Sequence, residues 1–219
     1  MFLGIDLGTS SVKVILIDEN QKLLSTHSEE IKLINPKPGY YEQDPETWYQ
    51  ATVNCFYKIK KQKPKEFASV KSIGISGQMH GATLIDKNDK ILRPCILWND
   101  TRSIMQCYDM EKRYPELRDE SGNVAMPGFT APKILWIKEN ETELFKKIHK
   151  VLLPKDYLRY RFSQSFYTDM SDASGTLWLN VKKRSWSENL LNLTYLNKEH
   201  MPILVEGNLL PSDDPRALI

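Results

Sequence analysis

Three cysteines stand in the 219 residues, Cys55, Cys95 and Cys107, and no two of them form a CxxC pair. An odd number cannot all pair within one chain, so neither a disulfide framework nor a cysteine zinc site finds support. A reducing compartment is expected. Nowhere do about 18 apolar residues run together, the length a membrane-crossing helix needs. The opening "MFLGIDLG" has no basic leader region and carries Asp6 where a secretory leader would stay apolar. A cytoplasmic protein without a membrane partner is therefore expected. An excess of charge is missing too. Thirty Lys and Arg face 28 Asp and Glu for a net +2, and the basic residues are interspersed with acidic ones, so a nucleic-acid surface is not expected. The densest basic run, "KIKKQKPK" at 58–65, closes a helical stretch, where the helix dipole favours cations. There is no low-complexity tract, no fixed-period repeat, no GxGxxG fingerprint and no Walker lysine.

What is present is an ordinary globular composition, 41% hydrophobic and 26% charged. It is enough to bury a core as one domain, or one domain with a smaller lobe. "FLGID" and "SVKVILID", apolar and β-branched, are separated by the turn "LGTS", and "KLLSTHSEEIKL" follows the polar turn "DENQ". This predicts a β-meander. "DPETWYQATVNCFYKIKK" reads as a helix, with Asp44 as N-cap, Pro45 at the first position and Glu46 in the first turn. A buried strand "VKSIGI", a glycine-bounded loop and the hairpin-like "ATLIDKNDKIL" come next. "TRSIMQCYDMEKRY" is helical, and from about residue 130 short helices dominate, with "KVLLP" as one buried strand. Strands alternating with helices predict an α/β layer in which helices flank a mixed sheet, and no Pro/Gly/Ser linker marks a boundary.

Two stretches carry chemistry. In "GIDLGTSSVKV", Asp6 ends an apolar strand and Gly8, Thr9, Ser10 and Ser11 turn into the next. Backbone N–H groups and hydroxyls in such a turn suit phosphate oxygens, and a carboxylate at the strand end suits a hydrated magnesium ion. Lys13 lies within reach of a phosphate, or strand alternation turns it to solvent. Four residues, "DLGT", fit an Asx-type hairpin turn equally well. In "SGQMHG", Met79 and His80 sit between Gly77 and Gly81, whose freedom from a Cβ allows a sharp bend and a close approach to a ligand. By itself such a loop is more often an ordinary turn.

The order "GIDLGTSSVKVILID", "EQDPETWYQA", "GISGQMHGATLID", "LRPCILWNDTRS", "MPGFTAPKILW", "LLPKDYLRYR" and "TDMSDASGTLWL" resembles the N-terminal half of an FGGY-family carbohydrate kinase from Met1 to about Met201. "GQMHG" resembles the branch that phosphorylates pentuloses. The resemblance implies an actin-like, ribonuclease-H-like fold, residues 1–206 as the sugar-binding domain, and ATP and Mg2+ as cofactors. The implied partner is D-xylulose or a related ketopentose or pentitol. Asp6 would be the catalytic residue that organises magnesium through water. Gly8, Thr9, Ser10 and Lys13 would face phosphate, and Met79, His80 and Trp98 the sugar. Trp98 otherwise reads as a core aromatic; for Asp100 and Arg102 structural roles are expected over substrate contact, with Asp100 capping the next helix and Arg102 pairing with it.

In this family the base that takes the hydroxyl proton is an aspartate at the start of a second half. Residues 207–219, "GNLLPSDDPRALI", depart from the pattern, and the family's C-terminal ATP-binding domain is not found in the sequence. This chain alone is expected to be inactive, with a separate C-terminal half or a homodimer as the protein partner. The competing expectation is an inactive, stand-alone pentose-binding or regulatory module.

Overall fold

The computed structural model describes residues 1–207. The segment after Gly207, expected to leave the family pattern, lies outside the described residues.

Hydrophobic alternation dictates the first layer. Leu3, Ile5 and Leu7 of β1 (Phe2–Leu7) and Val12, Val14 and Leu16 of β2 (Ser11–Ile17) point to one buried face. The residues that alternate with them, among them Asp6, Ser11 and Lys13, are partly or fully exposed, as a half-buried antiparallel pair allows. With β3 (Leu23–Glu30) they form the predicted meander. After β4 (Glu42–Gln43) comes α1 (Pro45–Gln62), capped as expected by the Asp44 carboxylate, which accepts from the Glu46 N–H. Trp48, Cys55 and Ile59 of α1 cover the buried face of the sheet. Beyond α2 (Pro64–Ala68), the chain crosses over to β5 (Ser72–Gly77), which pairs parallel with β1. The sheet order is β3-β2-β1-β5, and the mixed sheet is as predicted.

The hairpin expected over 82–92 forms only as a short one, with one bridge, Ile85 to Ile91, and two hydrogen bonds, Leu92 N–H to Leu84 O and Asp86 N–H to Lys90 O. In addition β6 (Thr83–Ile85) pairs antiparallel with β8 (Lys150–Leu152), from a segment more than 60 positions later. Both strands are buried on two faces. Ile85 and Leu152 join the core under the sheet, while Leu84 and Val151 join a second core with Ile134, Leu135 and Trp178. A long-range partner thus adds to the short local one and buries apolar side chains on both sides.

The second core is wrapped by α3 (Ile104–Arg113), α4 (Leu117–Ser121), α5 (Thr130–Asn140), α6 (Thr142–Phe145), α8 (Met170–Ser174) and α9 (Glu188–Leu193). Of these, α6 is a single turn, shorter than its sequence suggests. The short strand β7 (Cys95–Ile96) pairs with β4, and α7 (Pro154–Ser163) packs on α1. Four further strands of two or three residues were not legible: β9 (Tyr167–Asp169), β10 (Leu179–Asn180), β11 (Ser185–Trp186) and β12 (Ile203–Val205). They are too short to show periodicity. Among the described residues no helix is long and apolar enough to cross a membrane.

Candidate active site

Parallel pairing of β1 with β5 brings the two chemistry-bearing stretches side by side. In the register, Asp6 stands opposite Lys13 on one flank and Ser76 on the other. All three are exposed, on the strand phase opposite to Leu7 and Val12. The Ser76 hydroxyl lies 3.5 Å from Asp6 Oδ1. The turn after Asp6 is closed by Gly8 N–H donating to Ser11 O at 3.0 Å. Among the described residues, Thr9 N–H and Ser10 N–H donate to no protein acceptor, so both remain available to phosphate oxygens. Asp6 is a lone carboxylate, and no group of three or more His, Cys, Asp or Glu among the described residues could hold a metal. That donor set fits magnesium, which keeps several waters and takes one or two protein carboxylates beside substrate phosphates.

The loop after β5 runs from Gln78 to Gly81. Its glycines serve differently from the sequence expectation: the left-handed residue is His80, at φ +63. Gly77 and Gly81 are needed for space instead. A Cβ on Gly77 would meet Leu7 Cβ at 3.0 Å, and one on Gly81 would meet Pro154 Cγ at 2.5 Å. The loop is pressed against its neighbours, and the strained backbone falls on the histidine. That conformation is held by partners. The His80 carbonyl accepts from Lys133 Nζ at 2.9 Å and Thr130 Oγ1 at 3.1 Å, and its ring stands edge-on to Phe129 with centroids 4.6 Å apart.

His80 Nδ1 lies 2.9 Å from Gly175 O. A carbonyl can only accept, so Nδ1 carries the proton and Nε2 presents a lone pair. Burial, and then the Lys133 ammonium, push the imidazole pKa down to about 4, so the ring is neutral at pH 7 and Nε2 is an acceptor for a hydroxyl.

Met79 and His80 line a cavity of about 490 Å³ with Ser76, Lys155, Asp172 and Ser174. Met79 is 44% exposed. Asp6 does not line the cavity but stands beside it, next to the lining residue Ser76. Trp98 does not line it. Its indole N–H donates to Thr9 Oγ1 at 3.0 Å, which puts this 42% exposed ring against the phosphate-type turn and away from the core. Lys13 is exposed across from Asp6. Asp100 and Arg102 are structural. Arg102 pairs with Asp100 at 2.8 Å and Glu42 at 2.7 Å, and its guanidinium lies 4.0 Å from the Tyr40 ring centroid. Asp100 accepts from the Tyr41 N–H instead of capping α3, whose N-cap position is Ser103.

Sequence reasoning missed Gln43 and Lys133. Buried Gln43 donates to Thr9 O at 2.6 Å, and its Oε1 accepts from Gln78 Nε2 and Trp48 Nε1, so one amide ties the turn after β1 to the loop after β5. Lys133, 0% exposed, donates to His80 O and Gly128 O; burial pushes its pKa down to about 7. A signal existed for it: Lys133 occupies a core phase of α5 beside Ile134 and Ile137, where a helix calls for an apolar side chain.

The description "FGGY family of carbohydrate kinases, N-terminal domain" matches residues 1–210. The chain belongs to the FGGY family of carbohydrate kinases. The xylulose kinase of Escherichia coli (strain K12) is 50% identical over 208 residues, which is 95% of this chain and 43% of that protein. That of Klebsiella pneumoniae is 46% identical over 208 residues, again 95% of this chain and 43% of the relative. A solved structure described as a xyloylose kinase from Brucella ovis is 48% identical at a TM-score of 0.93, covering 95% of this chain and 44% of that one. The chain thus spans less than half the length of the curated relatives it matches. The mixed sheet with its flanking helices is the actin-like fold of FGGY sugar kinases, and the family match reaches residue 210, into the segment expected to depart from it.

Proposed function

We propose that this chain supplies the sugar-binding half of a xylulose kinase, an enzyme that converts D-xylulose to D-xylulose 5-phosphate with MgATP. The observation that carries the reading is the adjacency of Asp6 to Ser76, which lines the cavity holding Met79 and His80; the identity to xylulose kinases supports it. His80 binds and orients the ketose: Nε2 accepts from a sugar hydroxyl, and the Nδ1 bond to Gly175 O fixes the ring plane. Met79 offers an apolar flank to the carbon chain. Asp6 holds the hydrated magnesium ion, and the free N–H groups of Thr9 and Ser10 receive phosphate oxygens, with Lys13 adding positive charge across the strand pair. Trp98, pinned to Thr9, stands outside the cavity lining and would offer its indole face, suited to the apolar side of a polyol, to a sugar that reaches toward the turn after β1. MgATP, when bound, supplies the phosphoryl group, and the transfer depends chiefly on positioning and charge stabilisation. A second half or chain completes the cleft and provides the base.

The test is calorimetric titration with D-xylulose of the wild-type chain and of His80→Ala. The variant is expected to stay folded and to bind about 10-fold or more weakly, since a lost hydroxyl partner costs about 1–3 kcal/mol. Equal affinity in a folded variant would remove His80 from the site.

A further inference from the structure

The floor of the cavity carries a charge arrangement that a generic polyol site does not require. Lys155 Nζ contacts three carboxylates at once: Asp156 Oδ1 at 2.6 Å, Asp169 Oδ2 at 2.8 Å and Asp172 Oδ2 at 3.1 Å. One ammonium is thus shared among three carboxylates, with a hydrogen bond to Asp156 Oδ1. One positive charge is left against three negative ones. Of these side chains Lys155, Asp169 and Asp172 line the cavity, and among the described residues no other charged side chain does. The neutral His80 ring adds no compensation. Arg184, on the far side of α8, is already closed on Glu206 through two contacts of 2.6 and 2.7 Å. The carboxylates also keep unused capacity, because neither Asp156 Oδ2 nor Asp172 Oδ2 makes a hydrogen bond. The arrangement is built into the fold: Asp169 caps α8 by accepting from the Asp172 N–H at 2.9 Å, and a Cβ on Gly77 would come within 3.4 Å of Lys155 Cβ.

We propose that this Lys155-centred carboxylate cluster is a specificity determinant that admits neutral polyols to the cavity and rejects anionic ones, above all sugar acids. It rests on the reading of the cavity as a sugar site. A hydroxylated carbon chain brings donors that suit the carboxylate wall where Asp169 and Asp172 line the cavity, and Ser171 and Ser174 extend that polar wall. A carboxylate on the ligand would meet uncompensated negative charge in a partly desolvated place, where like charges repel far more strongly than in water. Among the described residues the one cation that lines the cavity is Lys155, and it already faces three carboxylates, so no positive charge is left over to offset it.

The experiment is calorimetric titration of the chain with D-xylulose, xylitol and D-xylonate, for the wild type and for the double variant Asp169→Asn with Asp172→Asn. Asparagine at 169 keeps an oxygen for the helix cap, and thermal unfolding checks that the variant is folded. In the wild type, D-xylonate is expected to bind at least 10-fold more weakly than the neutral ligands. In the double variant that ratio should shrink several-fold. D-xylonate binding as tightly as the neutral ligands, or a ratio unmoved by the double variant, overturns the proposal while leaving the sugar site standing. Failure of all three to bind overturns the sugar reading itself, and this inference with it.

Discussion

Replacing Gly175 by alanine should displace the His80 ring without straining the backbone. Gly175 sits at φ −75 and ψ 0, which any residue adopts. The obstacle is the imidazole: a Cβ there would fall 2.3 Å from His80 Cε1 and 2.5 Å from Nδ1. The ring must swing away, breaking the Nδ1–H bond to Gly175 O and the edge contact with Phe129. In the wild type, burial first and Lys133 second hold the ring's pKa at about 4 against an ordinary 6.5. The neutral form is therefore preferred in the fold. Stability is unaffected above about pH 6.5 and falls as the pH drops toward 4, because the unfolded chain takes up the proton first. At about 1.4 kcal/mol per pH unit the loss would approach about 3.5 kcal/mol, and about half that is a fairer figure for a ring partly open to the cleft. In Gly175→Ala the displaced imidazole regains water, so its pKa should climb toward 6.5 and the acid-side loss should shrink. At pH 7 the two proteins should differ by less than about 1 kcal/mol, since a lost hydrogen bond of about 1 kcal/mol is offset by the gain from restricting the unfolded chain. The assay is an NMR titration of the four imidazole Cε1–H signals, with His80 assigned by His80→Gln, alongside urea unfolding at pH 5 and 7. A wild-type His80 titrating near 6.5, or a variant still titrating near 4, would refute the reasoning.

Asp6→Asn, placed in a complete two-halved enzyme, should lower turnover by 100-fold or more and leave D-xylulose affinity within about 2-fold, because Asp6 acts on magnesium and phosphate; steady-state kinetics with calorimetry separates the two. Lys133→Met should destabilise the fold by about 1–3 kcal/mol at pH 7, since the carbonyls of His80 and Gly128 lose their donor. Burial depresses the Lys133 pKa to about 7, so the unfolded chain holds the proton at higher pH and wild-type stability should rise from pH 7 to 8.5. Urea midpoints at both pH values should show that slope diminished in the variant.

The local chemistry of the sequence was sufficient for β1, β2, β3 and α1. Alternation at period 2, a polar turn, and Asp44 before Pro45 act within a few residues, so no distant contact had to be known. Resemblance along seven segments pointed to the family and to Asp6, Met79 and His80 as residues to watch. The tertiary structure decided the rest. The local hairpin over 82–92 formed only as a short turn, and the full strand partner of β6 came from β8, whose pairing buries both faces. The freedom expected of Gly77 and Gly81 became a requirement for space, set by Leu7 and Pro154 from other elements, and the left-handed backbone moved to His80. Trp98 was drawn to Thr9, and Asp6 was brought beside Ser76 by parallel pairing of strands some 70 residues apart. Beside its sequence neighbour Asp156, Lys155 acquired two carboxylates from β9 and α8, an encounter that no spacing along the chain encodes, because such ion pairs depend on where folded elements meet and not on their order.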